Sequence, residues 1–261
     1  MPVSISGQAI RRHVIEQSKR ANVGHIGSAL SVADILACIY GGMLRGAPDN
    51  PDRDRFVMSK GHAALALYAA LHLAGHLSQS DLDTYNGDGS KLGVHPHHSL
   101  TGVDFSTGSL GQGLAMAAGA ALAARMQGSA RRVFTLISDA ECNEGSVWEA
   151  VMFAAHHHLE NLIVVVDSNR QQALGYTADV MSLEPLDERW RAFGWHVNSV
   201  DGHDVSALSS AIAEARSGMP HAVIANTTFG KGVSFMESQI QWHYLPMNEE
   251  QYLQALLEIG G

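Results

Sequence analysis

The chain has 261 residues, of which 46% are hydrophobic and 16% charged, and its formal net charge is −9. This length and apolar content suit one large α/β domain or two small ones, and the negative charge argues against nucleic acid or an anionic membrane as the main partner. Cys38 and Cys142 lie far apart and fit no metal-binding pattern. We therefore expect two free thiols in a reducing compartment, and a cytoplasmic protein.

The sequence carries no sign of a membrane segment or of a histidine-based metal site. Its first twenty residues lack the apolar core of a signal peptide, and no run of about 18 apolar residues occurs. Fifteen histidines are present, but they are scattered and form no HExxH pattern. The run His156–His158 falls at the end of a predicted helix, which favours surface or helix-end positions.

The first third of the chain places two histidines in glycine-rich turns. The apolar pattern predicts helices over residues 8–20, 33–40 and 63–74 and a strand over residues 55–58. His25 lies in the turn Gly24-His25-Ile26-Gly27, and His62 follows Gly61. Loop histidines flanked by glycine are open to whatever enters a crevice. The alternative for each is a turn residue without a ligand.

A long irregular segment leads into a glycine-rich helix start. A short helix is predicted over residues 80–85 with Ser80 as N-cap, and residues 87–107, including His95, then form a loop. A loop this long in a compact domain is usually functional or disordered, and its composition favours an ordered binding loop. The glycines of residues 108–113 precede a helix over residues 114–126 and would let backbone N–H groups approach a phosphate. Close packing against another helix explains the same glycines equally well.

The second half of the chain alternates strands and helices. Strands are predicted over 132–137, 162–167, 196–200 and 222–226, and helices over 147–157, 186–193, 205–216 and 248–259. This alternation predicts a doubly wound, mainly parallel sheet with helices on both faces. Right-handed crossovers would bring Asp139, Asn169, Asp201 and Asn226 to one edge of that sheet.

Two of these strand ends suggest a cation. Asp139 and Asn169 each follow a buried strand, and ligands bind beyond the carboxyl ends of parallel strands. Carboxylate and amide oxygens suit Mg²⁺, which also takes phosphate oxygens. The alternative is that Asp139 caps a helix and Asn169 is a turn residue.

Seven motifs occur in an order that resembles a known family. They are Gly24-His25-Ile26-Gly27, Ser59-Lys60-Gly61-His62, His95-Pro96, residues 107–113 (TGSLGQG), residues 139–150 (DAECNEGSVWEA), residues 161–169, and residues 230–243. The chain resembles the N-terminal, diphosphate-binding domain of transketolase, and in particular the short first subunit of split, two-chain transketolases. The resemblance covers nearly the whole chain and implies a single diphosphate-binding domain over residues 1–261.

The resemblance implies thiamine diphosphate and a divalent cation, Mg²⁺ or else Ca²⁺ or Mn²⁺. The implied metal ligands are Asp139, Asn169 and the backbone carbonyl of Gln171. The implied cofactor-binding residues are His62, Gly108, Ser109, Leu110, Asp139, Ala140, Glu144, Asn169 and His243, with Glu144 at the subunit contact. The implied catalytic residues are His25, His95 and His243, which would line the channel to the reactive carbon.

The sequence departs from the family pattern beside the metal aspartate. The family's Gly-Asp-Gly is Ser138-Asp139-Ala140 here, and Val94 replaces the glycine before His95. If position 140 requires positive φ, the alanine costs about 1 kcal/mol of strain. The added methyl would also crowd the diphosphate.

The implied function is transfer of a two-carbon ketol unit between sugar or sugar-phosphate substrates. In this family the aminopyrimidine of the cofactor binds a second domain, which supplies the activating glutamate. We therefore expect activity only with a partner chain that carries that domain, in a heterotetramer of two copies of each. The alternatives are acyl transfer from another donor such as pyruvate, a non-catalytic degenerate subunit, and a histidine-rich metal carrier.

Overall fold

The computed structural model describes residues 5–47, 49–214 and 216–260, and it is built on a parallel sheet. Five strands pair in the order β1-β2-β3-β7-β6, and every pairing in that sheet is parallel. They are β1 (Arg55–Met58), β2 (Val133–Ser138), β3 (Leu162–Ser168), β6 (His196–Asp201) and β7 (His221–Asn226). A small antiparallel hairpin of β4 (Gln171–Gln172) and β5 (Gly175–Tyr176) follows β3. The predicted doubly wound α/β fold is confirmed.

Helices cover both faces of the sheet. They are α1 (Gly7–Ala21), α2 (Ile26–Ser31), α3 (Ala33–Cys38), α4 (Ala64–Leu73), α5 (Gln79–Leu82), α6 (Gln112–Met126), α7 (Gly145–His156), α8 (Thr177–Met181), α9 (Leu186–Ala192), α10 (Val205–Ala213) and α11 (Glu249–Ile259). Alternate residues of β2 and β3 enter two apolar clusters, with Leu136 and Val165 in one and Ile137 and Val164 in the other. Side chains of successive strand residues point to opposite faces, so both faces of these two strands are buried.

Strand register brings the candidate residues together. Ser138 lies beside Asp167, and Ser168 lies beside Asn226 on the other side of β3. Asp139 and Asn169 are the next residues along their strands, so they leave the sheet at the same edge. Among the described residues, none of the helices is both long enough and apolar enough to cross a membrane.

Three local predictions were wrong. The cap of α5 is Ser78, whose hydroxyl accepts from Asp81 N, and not Ser80. A π-helical turn (Ile39–Met43) follows α3, and Gly42 inside it has φ of 154°, so the α-helix stops at Cys38. No strand or helix is predicted between the strand over residues 162–167 and the helix over residues 186–193, whereas the structure has the β4–β5 hairpin and helix α8 there.

Candidate active site

Asp139 and Asn169 are buried at adjacent strand ends, and both make local turn hydrogen bonds. Asp139 Oδ1 accepts from Ala140 N at 2.8 Å and Oδ2 accepts from Arg170 N at 2.8 Å. Asn169 Oδ1 accepts from Gln171 N at 2.9 Å. The capping and turn roles are therefore present in the structure. They leave room for a cation role, because a carboxyl or amide oxygen has more than one lone pair.

A buried ion pair lies directly behind these residues. The side chains of Lys60 and Asp167 are both fully buried, and Lys60 Nζ pairs with Asp167 Oδ2. The same Oδ2 accepts from Ser31 Oγ and from Asn169 Nδ2, each at 2.8 Å, and Thr227 Oγ1 donates to Oδ1. Asp167 therefore fixes the side-chain orientation of Asn169.

Among the described residues, no positively charged side chain contacts the carboxylate of Asp139 directly, and its hydrogen bonds come from backbone N–H groups. Burial, followed by the charge of Asp167, raises the pKa of Asp139 to about 7. A divalent cation would reverse that effect by favouring the ionised form. No group of three or more His, Cys, Asp or Glu in the described part of the chain could hold a metal. The oxygen donors of Asp139, Asn169 and Gln171 are a different set, of the kind Mg²⁺ prefers, and they fit the implied group.

Ser138 and Ala140 form an unstrained turn around Asp139. Ala140 begins a 3₁₀ turn (Ala140–Asn143), and it is not among the described non-glycine residues with positive φ. Ala140 is therefore free of the backbone strain that a positive φ would cause. Ser138 Oγ accepts from Glu141 N at 3.1 Å, an additional bond that glycine could not make.

The glycine-rich segment packs tightly on the Ser59-Lys60-Gly61-His62 loop. A Cβ on Gly113 would lie 2.3 Å from Ser59 Oγ, and one on Gly61 would lie 3.1 Å from the Cα of Gly108. Gly111, with φ of 87°, is the N-cap of α6. The close packing is thus directly observed, and it is compatible with the phosphate explanation of the same glycines.

Four histidines gather beside this loop. The ring centroids of His25 and His62 are 5.7 Å apart, and those of His62 and His243 are 6.4 Å apart. The Cδ2 atom of His95 lies 3.5 Å from the Cβ position of Gly108. His25 N also donates to the carbonyl oxygen of His243 at 3.3 Å. The sequence-predicted histidines from four distant motifs therefore share one region.

The environment keeps three of these imidazoles neutral near pH 7. Burial and then the charge of Lys60 lower the pKa of His243 to about 4. The same two causes, in the same order, lower the pKa of His62 well below its ordinary value. Burial and then His95 lower the pKa of His25. A neutral imidazole can accept one hydrogen bond and donate another.

Within the part of the chain that the structure describes, several buried polar atoms of this region have no hydrogen-bond partner. They are Nδ1 of His25, Nε2 of His243 and both side-chain amide atoms of Gln171. Buried polar atoms are normally paired, and an exception requires an explanation such as a bound group. The ring of His243 is itself fixed by stacking on Phe229, with centroids 4.5 Å apart.

Other predicted site residues lie at the rim. Ser109 and Glu144 are exposed, and Leu110 is half-buried. Glu144 is the N-cap of α7. It lies against the backbone of Gly111, since a Cβ added to Gly111 would be 2.7 Å from the Cβ of Glu144. A cavity of about 570 Å³ adjoins Asp139 and Arg170 on the α8 side. A larger one, about 600 Å³, lies near the start of β1 and contains none of the predicted site residues.

Sequence reasoning missed the charged residues that support the site. Lys60 stood inside a quoted motif without a role, and Asp167 was treated only as the end of a strand. The signal for Asp167 was an acidic residue within the otherwise apolar run LIVVVDS, which the structure buries completely. Glu141 was likewise unassigned, although it is fully buried in the turn after β2.

Comparisons of the sequence with protein families and with individual known proteins agree with each other. The family described as "Transketolase, thiamine diphosphate binding domain" matches residues 4–260. The "6-deoxy-6-sulfo-D-fructose transketolase subunit SqwG" of Clostridium sp. (strain MSTE9) is 43% identical, over 96% of this chain and 93% of the relative. One of the subunits of an apulose-4-phosphate transketolase from Actinobacillus succinogenes is 40% identical, over 93% of this chain and 91% of the relative.

A solved structure extends the match to the fold. The transketolase from Campylobacter jejuni superimposes with a TM-score of 0.93 at 34% identity, over 99% of this chain. The chain spans 42% of the length of that transketolase.

Proposed function

The chain belongs to the transketolase family, as a transferase subunit that carries the thiamine diphosphate-binding domain, and from that premise we propose that it acts with Mg²⁺ and a partner subunit to transfer a two-carbon ketol unit between sugar or sugar-phosphate substrates. The observation that carries this proposal is the convergence of two groups of residues at the carboxyl edge of the sheet. One group supplies buried oxygen atoms from Asp139 and Asn169, and the other supplies unpartnered imidazole nitrogens from His25 and His243.

We assign the cation to Asp139, Asn169 and the backbone carbonyl of Gln171. The diphosphate would lie by His62, Gly108, Leu110 and Ala140, at the start of α6. When bound, thiamine diphosphate supplies the electron sink for breaking and forming the carbon–carbon bond next to a ketose carbonyl. The protein contributes the binding geometry and a site from which water is excluded.

The histidines suit the handling of sugar hydroxyl and carbonyl groups. With its pKa lowered to about 4, His243 is neutral at pH 7. Its Nε2 and the Nδ1 of His25 have no hydrogen-bond partner among residues 5–47, 49–214 and 216–260, so each can donate to or accept from a substrate oxygen. His95 lies next to Gly108 and completes this group. Positioned imidazoles of this kind can also move a proton during the reaction.

Exposed apolar residues beside the site support a partner chain. Leu174 is 81% exposed, Met181 62% and Tyr244 56%. They lie on the β4–β5 hairpin and two neighbouring segments, and the Tyr176 hydroxyl ties that hairpin to the carbonyl of Ser238 at 3.1 Å. Large apolar side chains grouped next to a site are typical of interfaces. Relatives of similar length are called transketolase subunits, which also favours a C-terminal subunit with the pyrimidine-binding domain.

Four further assignments complete the proposal. We take residues 1–261 as one diphosphate-binding domain, and we take the assembly to contain two copies of this chain and two of its partner. Glu144, exposed beside the glycine-rich segment, would lie at the contact between them. A cytoplasmic location is supported by the two buried free cysteines, Cys38 and Cys142.

Cofactor binding by the assembled complex tests this function. The chain and its partner subunit would be titrated with thiamine diphosphate in the presence of Mg²⁺, using calorimetry. We expect saturable binding that needs Mg²⁺ and that weakens at least about tenfold in Asp139→Asn, because a buried ligand charge is lost. The exposed Asp88→Asn is the control and should bind normally. If the complex does not bind the cofactor, the proposed function is wrong.

A further inference from the structure

Glu141 is a fully buried carboxylate beneath the glycine-rich segment. Its Oε1 accepts from Gly111 N at 2.7 Å and also from the Ser59 hydroxyl, and its Oε2 accepts from Ser138 N at 3.4 Å. The carboxyl group thus uses both oxygens on protein donors. Its side chain is fully buried and its three hydrogen bonds are made to groups of the protein, so its role is exerted through the groups it holds.

The three donors come from three different parts of the proposed cofactor site. Ser59 begins the loop that carries His62, Gly111 ends the segment that would contact the diphosphate, and Ser138 immediately precedes Asp139. One side chain therefore sets the relative positions of segments that are about 30 to 80 residues apart in sequence.

The packing around Glu141 leaves these segments little freedom. A Cβ on Gly113 would overlap the Ser59 hydroxyl at 2.3 Å, and a Cβ on Gly111 would lie 2.4 Å from Ser146 Oγ. Gly111 has a φ of 87°, and its N–H group donates to Glu141. Gly111 is also the N-cap of α6, so the helix whose first N–H groups lack intrahelical partners begins directly after the residue that Glu141 holds.

A negative charge on Glu141 would not by itself favour the binding of a diphosphate. A carboxylate close to a bound diphosphate repels it, and Lys60, buried nearby, pairs with Asp167. Electrostatics alone would therefore favour a neutral residue at position 141. The three donors are shared between the two acceptor oxygens of Glu141. A glutamine at this position would supply only one acceptor oxygen.

We propose that Glu141 is a positioning residue that orients the 108–113 segment and the start of α6 for the diphosphate of the cofactor. This rests on the proposed function, since it assumes that a diphosphate binds there. Glu141 touches neither the metal nor the substrate. It acts by holding Gly111 and Ser59 in fixed positions.

The test compares the full chain with its Glu141→Gln variant, using inorganic diphosphate with Mg²⁺ as the probe in calorimetry. Loss of one acceptor leaves a buried N–H or O–H donor unpaired, so we expect the Kd for Mg²⁺-diphosphate to rise at least about tenfold, equivalent to ~1.4 kcal/mol. The Kd for Mg²⁺ alone should change less than about twofold, because none of the hydrogen bonds of Glu141 is made to a proposed metal ligand. The exposed Glu149→Gln on α7 is the matched control and should leave both constants unchanged.

The outcomes separate positioning from charge and from general stability. If Glu141 acted only through its charge, Glu141→Gln would bind diphosphate more tightly, and this result or an unchanged Kd overturns the proposal. Equal weakening of Mg²⁺ and diphosphate binding would indicate a structural role only and also overturns it. If the variant does not fold, Ser59→Ala removes one donor at lower cost and should raise the diphosphate Kd about twofold to fivefold, with no change again counting against the proposal. If the wild-type chain alone binds no Mg²⁺-diphosphate, this proposal is wrong, whereas the proposed function is refuted only if the complex with the partner subunit also fails to bind thiamine diphosphate.

Discussion

Replacing Asp167 by asparagine should destabilise the chain far more than an ordinary loss of charge. Asp167 and Lys60 are both fully buried and form an ion pair, so Asp167→Asn leaves the ammonium group of Lys60 without its counter-ion. Breaking a buried pair in this way costs about 3–5 kcal/mol. Because the free energy of unfolding of a domain is about 5–15 kcal/mol, the loss would be a large part of the total.

Urea unfolding followed by circular dichroism measures this effect. The control is Asp187→Asn, whose pair with Arg191 is partly exposed, at 33% and 47% of the two side chains, and should be worth less than about 1 kcal/mol. A double variant with Lys60→Met and Asp167→Asn removes both charges and should regain at least about 2 kcal/mol relative to Asp167→Asn. The reasoning is refuted if Asp167→Asn costs no more than Asp187→Asn, or if the double variant shows no recovery.

Three other predictions follow from single contacts. His243 should titrate with a pKa of about 4 by NMR. The pKa of a histidine in the unfolded chain is about 6.5. The stability that depends on a neutral His243 is therefore complete above pH ~6.5 and is lost as the pH falls towards 4. An NMR titration of His243 with a pKa near 6.5 would contradict this prediction. Gly27→Ala should destabilise the protein by about 1–3 kcal/mol, because the added Cβ would lie 2.1 Å from the Phe229 ring. Gly119→Ala should instead stabilise helix α6 by about 0.5–1 kcal/mol, because nothing lies within 4 Å of the added Cβ. Thermal unfolding of the two variants should therefore show stability changes of opposite sign. Ser138→Gly should lower stability by about 1 kcal/mol, because a 3.1 Å hydrogen bond to its hydroxyl is lost, and a gain in stability would mean that the serine is strained.

The sequence was sufficient to predict the sheet because its central strands, β2 and β3, are buried on both faces. Runs such as LIVVVDS in β3 contain few polar residues and end at recognisable turn residues, and their alternation with helices implies parallel pairing. The edge position of Asp139 and Asn169 followed from that topology. The small elements after β3 could not be predicted in the same way, because β4, β5 and α8 are short and have little apolar pattern.

The pairing of the charged residues that support the site, Lys60 and Asp167, could not be predicted from the sequence for a different reason. Lys60 and Asp167 are 107 residues apart, and their pairing depends on the three-dimensional approach of the loop after β1 to the end of β3. The residues that face a ligand are recognisable by type and motif, as His25, His62 and His243 were. The roles of Glu141 and Asp167, which hold other residues in place, become clear only once their hydrogen-bond partners are known. The expected strain at Ala140 shows the reverse error, because the family's glycine need not mean that this chain adopts a left-handed backbone there.

Ketol transfer by the reconstituted two-subunit enzyme tests the central claim most directly. The purified chain, its partner subunit, Mg²⁺ and thiamine diphosphate would be mixed with a ketose phosphate donor and an aldose acceptor, and the two-carbon transfer product measured, with pyruvate as the competing donor. We predict turnover of the ketose donor that needs both subunits and that is lost in Asp139→Asn. Turnover of pyruvate in place of the ketose, or no turnover of either by a complex that binds the cofactor, would contradict the account.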